Sequence, residues 1–276
     1  MDRELSQLPA PQQTALITLQ AKAQESRYPD SILGDHFAWK ALTRLDEDLS
    51  RYQVSRDGVA GLALRAFCLD EWTRQFLHRC PRATVLYLGC GLDSRVLRVD
   101  PDDQVEWYGI DFPEVIALRN HLYDERPHTH FIASPLTAPD WMNLIPADRP
   151  TLLIAEGVFP YLEQAQVTTL LSQLLTRFPS GELLFDGYQR WCLPFLNWHP
   201  SIRATGAKLR WGINAPIDLE SSVPGLRFID AWTEFSLDQT RHLSPLSRLM
   251  RQFRFVRQLG RLLRYRFGPD KNTDTE

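Results

Sequence analysis

The sequence predicts an α/β protein with a mainly parallel sheet and helices on both faces. Helical spacing of apolar residues fills most of the first 80 positions, and short apolar runs then alternate with further helical stretches. A continuous apolar run is typical of a strand that is buried on both faces, as strands of parallel sheets are. Alternation of strands and helices favours right-handed crossover units, which place helices on each face.

The individual elements follow from periodicity and chain breakers. The N-terminal third predicts three helices before the first strand, and a basic C-terminal stretch returns to helical spacing. Between them, residues 188–225 form an irregular, aromatic-rich stretch whose composition suits either a lid over a cleft or a surface loop. The predicted helices are 10–24, 36–49, 59–79, 112–123, 162–178 and 243–266, and the predicted strands are 83–88, 105–110, 129–133, 151–155, 182–185 and 226–235.

Composition excludes several classes of protein. Of 276 residues, 43% are hydrophobic and 24% are charged, which suits a packed globular domain. The polar N-terminus has no signal-like apolar segment and no run is long enough to span a bilayer, so a cytoplasmic location is expected. The four cysteines have neither zinc-site nor disulfide-framework spacing, and no metal is expected.

Charge is distributed unevenly along the chain. Residues 1–240 carry 22 basic and 31 acidic side chains, whereas 241–269 carry eight arginines and no acid. On a helical wheel the arginines of 243–266 lie opposite the apolar residues, which predicts a basic amphipathic helix. It could pack on the acidic body, lie on an anionic membrane surface or dock a partner, and no nucleic-acid motif accompanies it.

A glycine turn follows the first predicted strand. Gly89 and Gly91 would let the backbone turn tightly and approach a ligand closely. Ser94 stands where a dinucleotide fingerprint has its third glycine, which weakens a nicotinamide reading. Asp111 lies twenty residues beyond Gly91, directly after the next apolar run. A carboxylate at that strand end can accept both hydrogens of a ribose diol. The structural alternatives are an ordinary turn and a helix cap by Asp111.

Four segments carry a family resemblance. They are Arg65–Asp70 (RAFCLD), Leu88–Arg95 (LGCGLDSR), Tyr108–Val115 (YGIDFPEV) and Pro150–Leu162 (PTLLIAEGVFPYL). Together they resemble the leucine carboxyl methyltransferase family, particularly its bacterial branch related to polyketide O-methyltransferases, from about residue 15 to 235. The resemblance implies a class I, Rossmann-like fold with a seven-stranded sheet, a helical N-terminal cover, a late lid insertion and S-adenosylmethionine as cofactor.

The resemblance also implies roles for individual residues. Lys22 and Arg65 would bind the carboxylate of the cofactor, Asp111 would hold its ribose, and Glu156 would lie beside its methionine portion. Ser134 stands where many relatives have an acid that meets the adenine amino group, so either Ser134 and backbone groups hold the adenine or the cofactor binds less tightly. The implied cofactor-binding set is Lys22, Arg65, Gly89, Cys90, Gly91, Asp111, Phe112, Ser134 and Glu156.

The acceptor is less constrained. Methyl transfer needs a nucleophile placed against the methyl carbon, and a carboxylate needs no base whereas a hydroxyl benefits from one. Tyr161 and His199 are weak catalytic candidates, each with a packing role as the alternative. The aromatic residues of 188–225 predict a small planar or hydrophobic acceptor, through walls formed by Trp191, Phe195, Trp198 and Trp211.

These observations give a domain scheme and two alternative functions. The expected methyltransferase domain spans 1–240, with a helical cover at 1–80, a cofactor-binding core at 83–186 and a lid at 188–225. Residues 241–276 are expected to be a separable helix and tail with a peripheral membrane role as one option. The alternatives are an NAD-dependent dehydrogenase and a non-catalytic module that keeps the cofactor fold.

Overall fold

A single seven-stranded sheet organises the chain. The computed structural model describes residues 10–45, 54–198, 202–203, 206–232, 243–250 and 260–269. The strand order is β3-β2-β1-β4-β5-β7-β6, with β1 to β5 parallel and β7 antiparallel to both of its neighbours. The strands are β1 (Thr84–Leu88), β2 (Glu106–Asp111), β3 (Thr129–Ala133), β4 (Thr151–Ala155), β5 (Gly181–Tyr188), β6 (Leu226–Trp232) and β7 (Gly260–Phe267).

The helices begin and end where local capping allows. Ser55 accepts a hydrogen bond from the Gly58 amide at 3.2 Å, so the third helix begins earlier than its apolar periodicity indicates. The second helix ends at Thr43, short of the predicted residue 49: residues 44 and 45 are not helical, and 46–49 lie outside the described residues. The helices are α1 (Ala10–Glu25), α2 (His36–Thr43), α3 (Arg56–Arg79), α4 (Arg95–Val99), α5 (Pro113–Leu122), α6 (Gln164–Arg177), α7 (Leu193–Asn197), α8 (Pro216–Ser222) and α9 (Pro245–Met250).

Both faces of the sheet are covered, as the apolar runs predict. Successive strand residues point to opposite faces, so Leu86 and Leu153 join the core that contains residues of α6, while Val85 and Leu152 join the core that contains Trp72 of α3. A third cluster packs α1 and α2 against the glycine turn and α5. The N-terminal helices therefore cover the carboxyl end of the sheet.

The predicted helix over 243–266 is wrong in its C-terminal part. Residues 260–267 are strand β7, which pairs with β5 on one side and β6 on the other. Leu262 enters one core and Leu263 the other, so burial on two faces and pairing on two edges override the helical spacing. Only α9 within the predicted span is helical among the described residues, and 251–259 lie outside them. The expected boundary at residue 240 is therefore also wrong.

The aromatic segment after β5 divides between core and surface. Trp211 is buried against Phe159 and Phe185, with ring centroids 5.8 and 5.9 Å apart, whereas Trp191, Phe195 and Trp198 are exposed. The predicted late strand is present as β6, and its last predicted residues, 233–235, lie outside the described part. In the portions of the chain that the structure describes, no helix has the length and apolar character needed to cross a bilayer.

Candidate active site

A cavity of about 800 Å³ lies at the carboxyl ends of β1, β2 and β4. The strand order reverses between β1 and β4, which is where open α/β sheets bind ligands. All nine sequence-predicted cofactor residues line this one cavity, as does Tyr161, while His199 lies outside the described residues. The nine are Lys22, Arg65, Gly89, Cys90, Gly91, Asp111, Phe112, Ser134 and Glu156.

The glycine turn after β1 requires glycine at both positions. Gly89 and Gly91 have φ values of +61° and +53°, in the left-handed region that side chains disfavour. A Cβ on Gly89 would also lie 2.5 Å from Cγ2 of Val158. The turn thereby presents bare backbone to the cavity, which is what close approach of a ligand demands.

Asp111 joins the glycine turn to the end of β2. Its Oδ2 accepts a hydrogen bond from the Gly91 amide at 2.7 Å, and its Oδ1 accepts one from the Phe112 amide at 2.8 Å. Burial raises the pKa of this carboxyl, while both amide bonds act to lower it. Each oxygen keeps a further lone pair for a ligand hydroxyl. Asp111 does not cap α5. The N-cap residue of this helix is Phe112, and Asp111 accepts the amide of Phe112 and no amide from within the helix.

Glu156 receives three cations at the end of β4. Its Oε1 lies 3.1 Å from Arg65 Nε and 3.4 Å from Lys22 Nζ, and its Oε2 lies 2.5 Å from Arg95 Nη2. Burial opposes ionisation of Glu156, but the charges of Lys22, Arg95 and Arg65 outweigh it and lower the pKa to about 2. The carboxyl is therefore ionised at neutral pH and holds α1, α3, α4 and β4 together.

Further buried charges surround this centre, and the sequence did not assign them roles. Asp93 lies 3.2 Å from Lys22 Nζ and 2.7 Å from Arg98, and despite its burial these cations hold its pKa well below the usual range. Asp70 binds both Arg95 and Arg98 at 2.7 Å. We call the whole set the ion cluster: Lys22, Asp35, Arg65, Asp70, Asp93, Arg95, Arg98, Glu156 and Asp186.

Asp186 extends the ion cluster toward Tyr161. Its Oδ2 lies 3.0 Å from Arg65 Nη1, and its Oδ1 accepts a hydrogen bond from the Gly157 amide at 2.5 Å. Burial raises the pKa of Asp186, with the Arg65 charge opposing it. Burial likewise raises the pKa of Tyr161, so its phenol is protonated at neutral pH and can donate a hydrogen bond into the cavity.

Part of the cavity lining is aliphatic, and it differs from the predicted aromatic walls. None of Trp191, Phe195, Trp198 and Trp211 lines it. Trp191 before α7, Phe195 on α7 and Trp198 directly after α7 are exposed, and Trp211 belongs to the core, so the predicted aromatic walls are wrong. Aliphatic side chains from four other parts of the chain line the cavity instead, and we call this set the acceptor half: Val54, Leu62, Leu196, Ile202, Leu209 and Leu243.

Residues beyond 240 also close the cavity. Leu243 and Ser247 line it, and Asp57 on α3 anchors their segment. Asp57 accepts hydrogen bonds from the Ser244 amide at 2.6 Å, from the Ser244 hydroxyl at 2.8 Å and from the Ser247 hydroxyl at 2.5 Å. The C-terminal segment is therefore part of the site and not an appendage to it.

Comparison with known proteins defines the class of this fold. The solved structure of the plantazolicin methyltransferase BamL is 13% identical in sequence and aligns over 94% of this chain and 98% of its own, with a TM-score of 0.53. At that identity the likeness shows the fold alone. With the seven-stranded order and the ligand cavity at the strand reversal, it identifies a class I methyltransferase fold, as predicted.

Sequence comparison then gives the family. The leucine carboxyl methyltransferase model matches residues 15–175, and the chain belongs to this family. The tetracenomycin polyketide synthesis O-methyltransferase TcmP of Streptomyces glaucescens is 41% identical over 259 residues, covering 92% of this chain and 96% of that protein. The S-adenosyl-L-methionine-dependent methyltransferase dpfgK of Gibberella zeae is 32% identical over 250 residues, covering 83% and 84%.

The family decides between the functional alternatives. The chain is an S-adenosylmethionine-dependent methyltransferase, and the prediction of that enzyme class and cofactor is confirmed. The NAD-dependent dehydrogenase is excluded, in agreement with Ser94 at the third fingerprint position. The match with TcmP extends over nearly the whole chain, further than the quoted motifs indicate.

Proposed function

We propose that this enzyme transfers a methyl group to the carboxylate of a small hydrophobic molecule. The observation that carries the proposal is the mixed lining of the cavity, in which charged and hydrogen-bonding groups at the strand ends are joined by the aliphatic side chains of the acceptor half. The 41% identity to an O-methyltransferase of polyketide synthesis supports a small hydrophobic acceptor. Both observations favour a small molecule over a protein as the acceptor.

The sheet end fits S-adenosylmethionine in charge and shape. A cation pair, Lys22 and Arg65, faces the cavity for the carboxylate of the cofactor, and Asp111 offers lone pairs for the ribose diol. Gly91 leaves room beside α1, because a Cβ added to Gly91 would lie 3.5 Å from the Cβ of Ala15. Cys90 and Phe112 line the adjacent wall, and Ser134 is the polar side chain offered near the adenine position. The bound cofactor supplies a methyl group on an electrophilic sulfonium.

The acceptor half favours a group that is already ionised. The described acids that line the cavity are engaged: Asp57 by two serines, Asp93 and Glu156 by cations, and Asp111 by two amides. No histidine is among the described lining residues. A protonated Tyr161 serves as a donor that orients the acceptor and not as a base. A carboxylate acceptor is ionised already and needs no base, whereas a phenol acceptor benefits from a base that removes its proton.

Methyl-transfer assays test this proposal. Purified enzyme with methyl-labelled S-adenosylmethionine is offered aromatic carboxylic acids and the phenols of matched ring size. We expect turnover of carboxylates at a rate that changes little between about pH 6 and pH 9, because a carboxyl is ionised throughout that range. Turnover confined to phenols, with a rate that rises with pH, would contradict the carboxylate assignment.

We also propose that the protein makes a peripheral membrane contact. The sequence places it on a helix over 243–266, of which the structure makes 260–267 a buried strand. A contact of that kind needs a different surface, and the described residues offer one beside the cavity.

A further inference from the structure

Three large aromatic side chains are exposed next to the cavity. Trp191, Phe195 and Trp198 have exposed fractions of 54%, 72% and 77%. The first two contact each other edge to face, with ring centroids 6.5 Å apart. Single exposed apolar residues are ordinary, but three large aromatics within eight positions form a patch of the kind that marks an interaction surface.

The same segment has an inner face that belongs to the cavity. Leu193 of α7 is buried, and Leu196 lines the acceptor half. The short helix therefore places aliphatic side chains inward and Phe195 outward. We call the outward surface of the described residues 190–198, 202–203 and 206–210 the lid face. Whatever covers the lid face lies directly outside the acceptor half of the cavity.

The charge of the lid face has one sign. No acid occurs between Asp186 and Asp218, an interval that contains four cationic side chains. All four are exposed: Arg190, Arg203, Lys208 and Arg210. Arg210 is paired with Glu163 at 2.6 Å, while the hydrogen bonds recorded for Arg190 go to neutral groups, the Gly212 carbonyl and Gln164. The lid face keeps a positive charge beside its aromatics.

A second segment of the cavity wall repeats this arrangement. Leu243 and Ser247 face the cavity, whereas Leu246 and Leu249 are exposed by 69% and 55%. This segment begins the arginine-rich stretch of the chain. Two separate wall segments of one cavity thus expose apolar side chains outward, and both occur in basic stretches.

We propose that the lid face docks on an anionic lipid surface. Tryptophan, phenylalanine and leucine partition into the headgroup region, and lysine or arginine beside them is attracted by anionic lipids. The combination of exposed aromatics with a net positive charge fits that surface better than a neutral apolar partner would. Docked in this way, the enzyme holds the acceptor half of its cavity next to the bilayer, where hydrophobic acceptors accumulate.

Vesicle cosedimentation tests the proposal with the full-length protein. The probes are vesicles of phosphatidylcholine with phosphatidylglycerol and vesicles of phosphatidylcholine alone. We expect binding to the first that weakens as salt rises, and much weaker binding to the second. Replacing Arg203 and Lys208 by glutamine should lower partitioning about thirtyfold, from roughly fivefold per removed charge.

Matched variants control for charge and hydrophobicity. Lys40→Gln with Arg82→Gln removes the same charge from exposed sites on α2 and before β1, and should change partitioning little. Trp191→Ser with Phe195→Ser and Trp198→Ser should abolish binding, whereas Leu144→Ser, at an equally exposed site after β3, should not. Thermal stabilisation by S-adenosylhomocysteine confirms that each variant is folded and keeps the cofactor half.

Three results would overturn the proposal. One is equal partitioning of the wild type to both vesicle types, and another is binding unchanged in the triple aromatic variant. The third is a dimer in light scattering that the aromatic variant dissociates, with no vesicle binding by either protein. That last result would assign the lid face to a second copy of the chain.

Discussion

Glu156 shows how a single buried acid can organise the charged wall of a cavity. Three cations from three helices converge on its two oxygens, so the carboxylate is ionised in an environment that would otherwise neutralise it. Removal of one partner from such a group leaves charge uncompensated, whereas the intact set keeps every member oriented. Two of the cations, Lys22 and Arg65, also face the cavity. The ion cluster therefore preorganises the groups proposed to bind the cofactor carboxylate.

Lys22→Met tests the proposed carboxylate contact. We expect its dissociation constant for S-adenosylhomocysteine to rise about 10- to 100-fold, since a charge-assisted hydrogen bond contributes about 1.5–3 kcal/mol. Glu156 keeps Arg65 and Arg95, so the fold should survive. Titration calorimetry measures the affinity, with Lys40→Met at an exposed site of α2 as the control. Equal affinities of the two variants for S-adenosylhomocysteine would show that Lys22 does not contact the cofactor.

The pKa of Glu156 predicts acid sensitivity. Because its folded-state pKa is lowered from 4.5 to about 2, ionised Glu156 stabilises the fold above its ordinary pKa, and this contribution is lost as pH falls from about 4.5 to 2. The contribution of ionised Glu156 to the free energy of unfolding is on the order of 3 kcal/mol. Asp186, whose pKa is raised, acts in the opposite direction and reduces the net slope.

Urea unfolding across this pH range measures the effect. The free energy of unfolding of the wild type should fall steeply between about pH 4.5 and pH 2. Glu163→Gln, at an exposed position of the loop before α6, should show the same fall. A wild-type free energy that does not change over this range would show that the ion cluster does not set acid stability.

At the scale of the element, the turn from β1 to α4 links sequence to site most directly. Both glycines adopt left-handed conformations, and Asp111 fixes the second of them through its amide. Local sequence predicts this turn because glycine alone tolerates such a backbone at low cost. The position of Val158 against Gly89 comes from β4 lying beside β1, which no local pattern reveals.

Gly89→Ala separates steric conflict from backbone strain. Gly34 also has a positive φ, +63°, but a Cβ there would meet no atom within 4 Å, so Gly34→Ala reports strain alone, about 1 kcal/mol. Gly89→Ala adds the contact with Val158, and we expect a larger loss of unfolding free energy together with loss of S-adenosylhomocysteine binding. Denaturant melts and calorimetry measure both. Equal destabilisation with intact binding would contradict the proposed role of the turn.

For the whole molecule, the C-terminal strand decides where the domain ends. Strand β7 lies between β5 and β6, so the last described part of the chain completes the sheet that the earlier strands begin. Arg264 joins β7 to β5 through Glu182 at 2.8 Å and to α3 through Gln75 at 3.0 Å. Arg264 therefore has a structural role, and the segment that contains it is not a separable tail.

Truncation tests this conclusion. Deletion of residues 260–276 should abolish cooperative unfolding and cofactor binding, because β6 loses its partner strand and both cores lose buried leucines. Deletion of 270–276 alone should leave both unchanged, since β7 remains. Thermal melts by circular dichroism make the comparison. A folded, cofactor-binding protein without 260–276 would support the separable tail that the sequence predicts.

Much of the site could be predicted because its signals are local or belong to long motifs. The glycine turn, Asp111 and Glu156 follow apolar runs directly, and all nine predicted cofactor residues line the cavity. The partners of Glu156 could not be predicted in the same way. Arg95 is fully buried and stands in a quoted motif, but only the packing of α3, α4 and β4 brings Asp70 and Glu156 to it.

The sequence by itself determined the α/β alternation, the position of the ligand turn and the enzyme family, because periodicity, glycine placement and long motifs are properties of neighbouring residues. Only the tertiary structure decided that 260–267 is a strand, that the predicted aromatic walls face outward or enter the core, and that nine charges form one ion cluster. Strand pairing, burial and charge compensation join residues far apart in the chain, so their energies override the local periodicity that favoured a C-terminal helix.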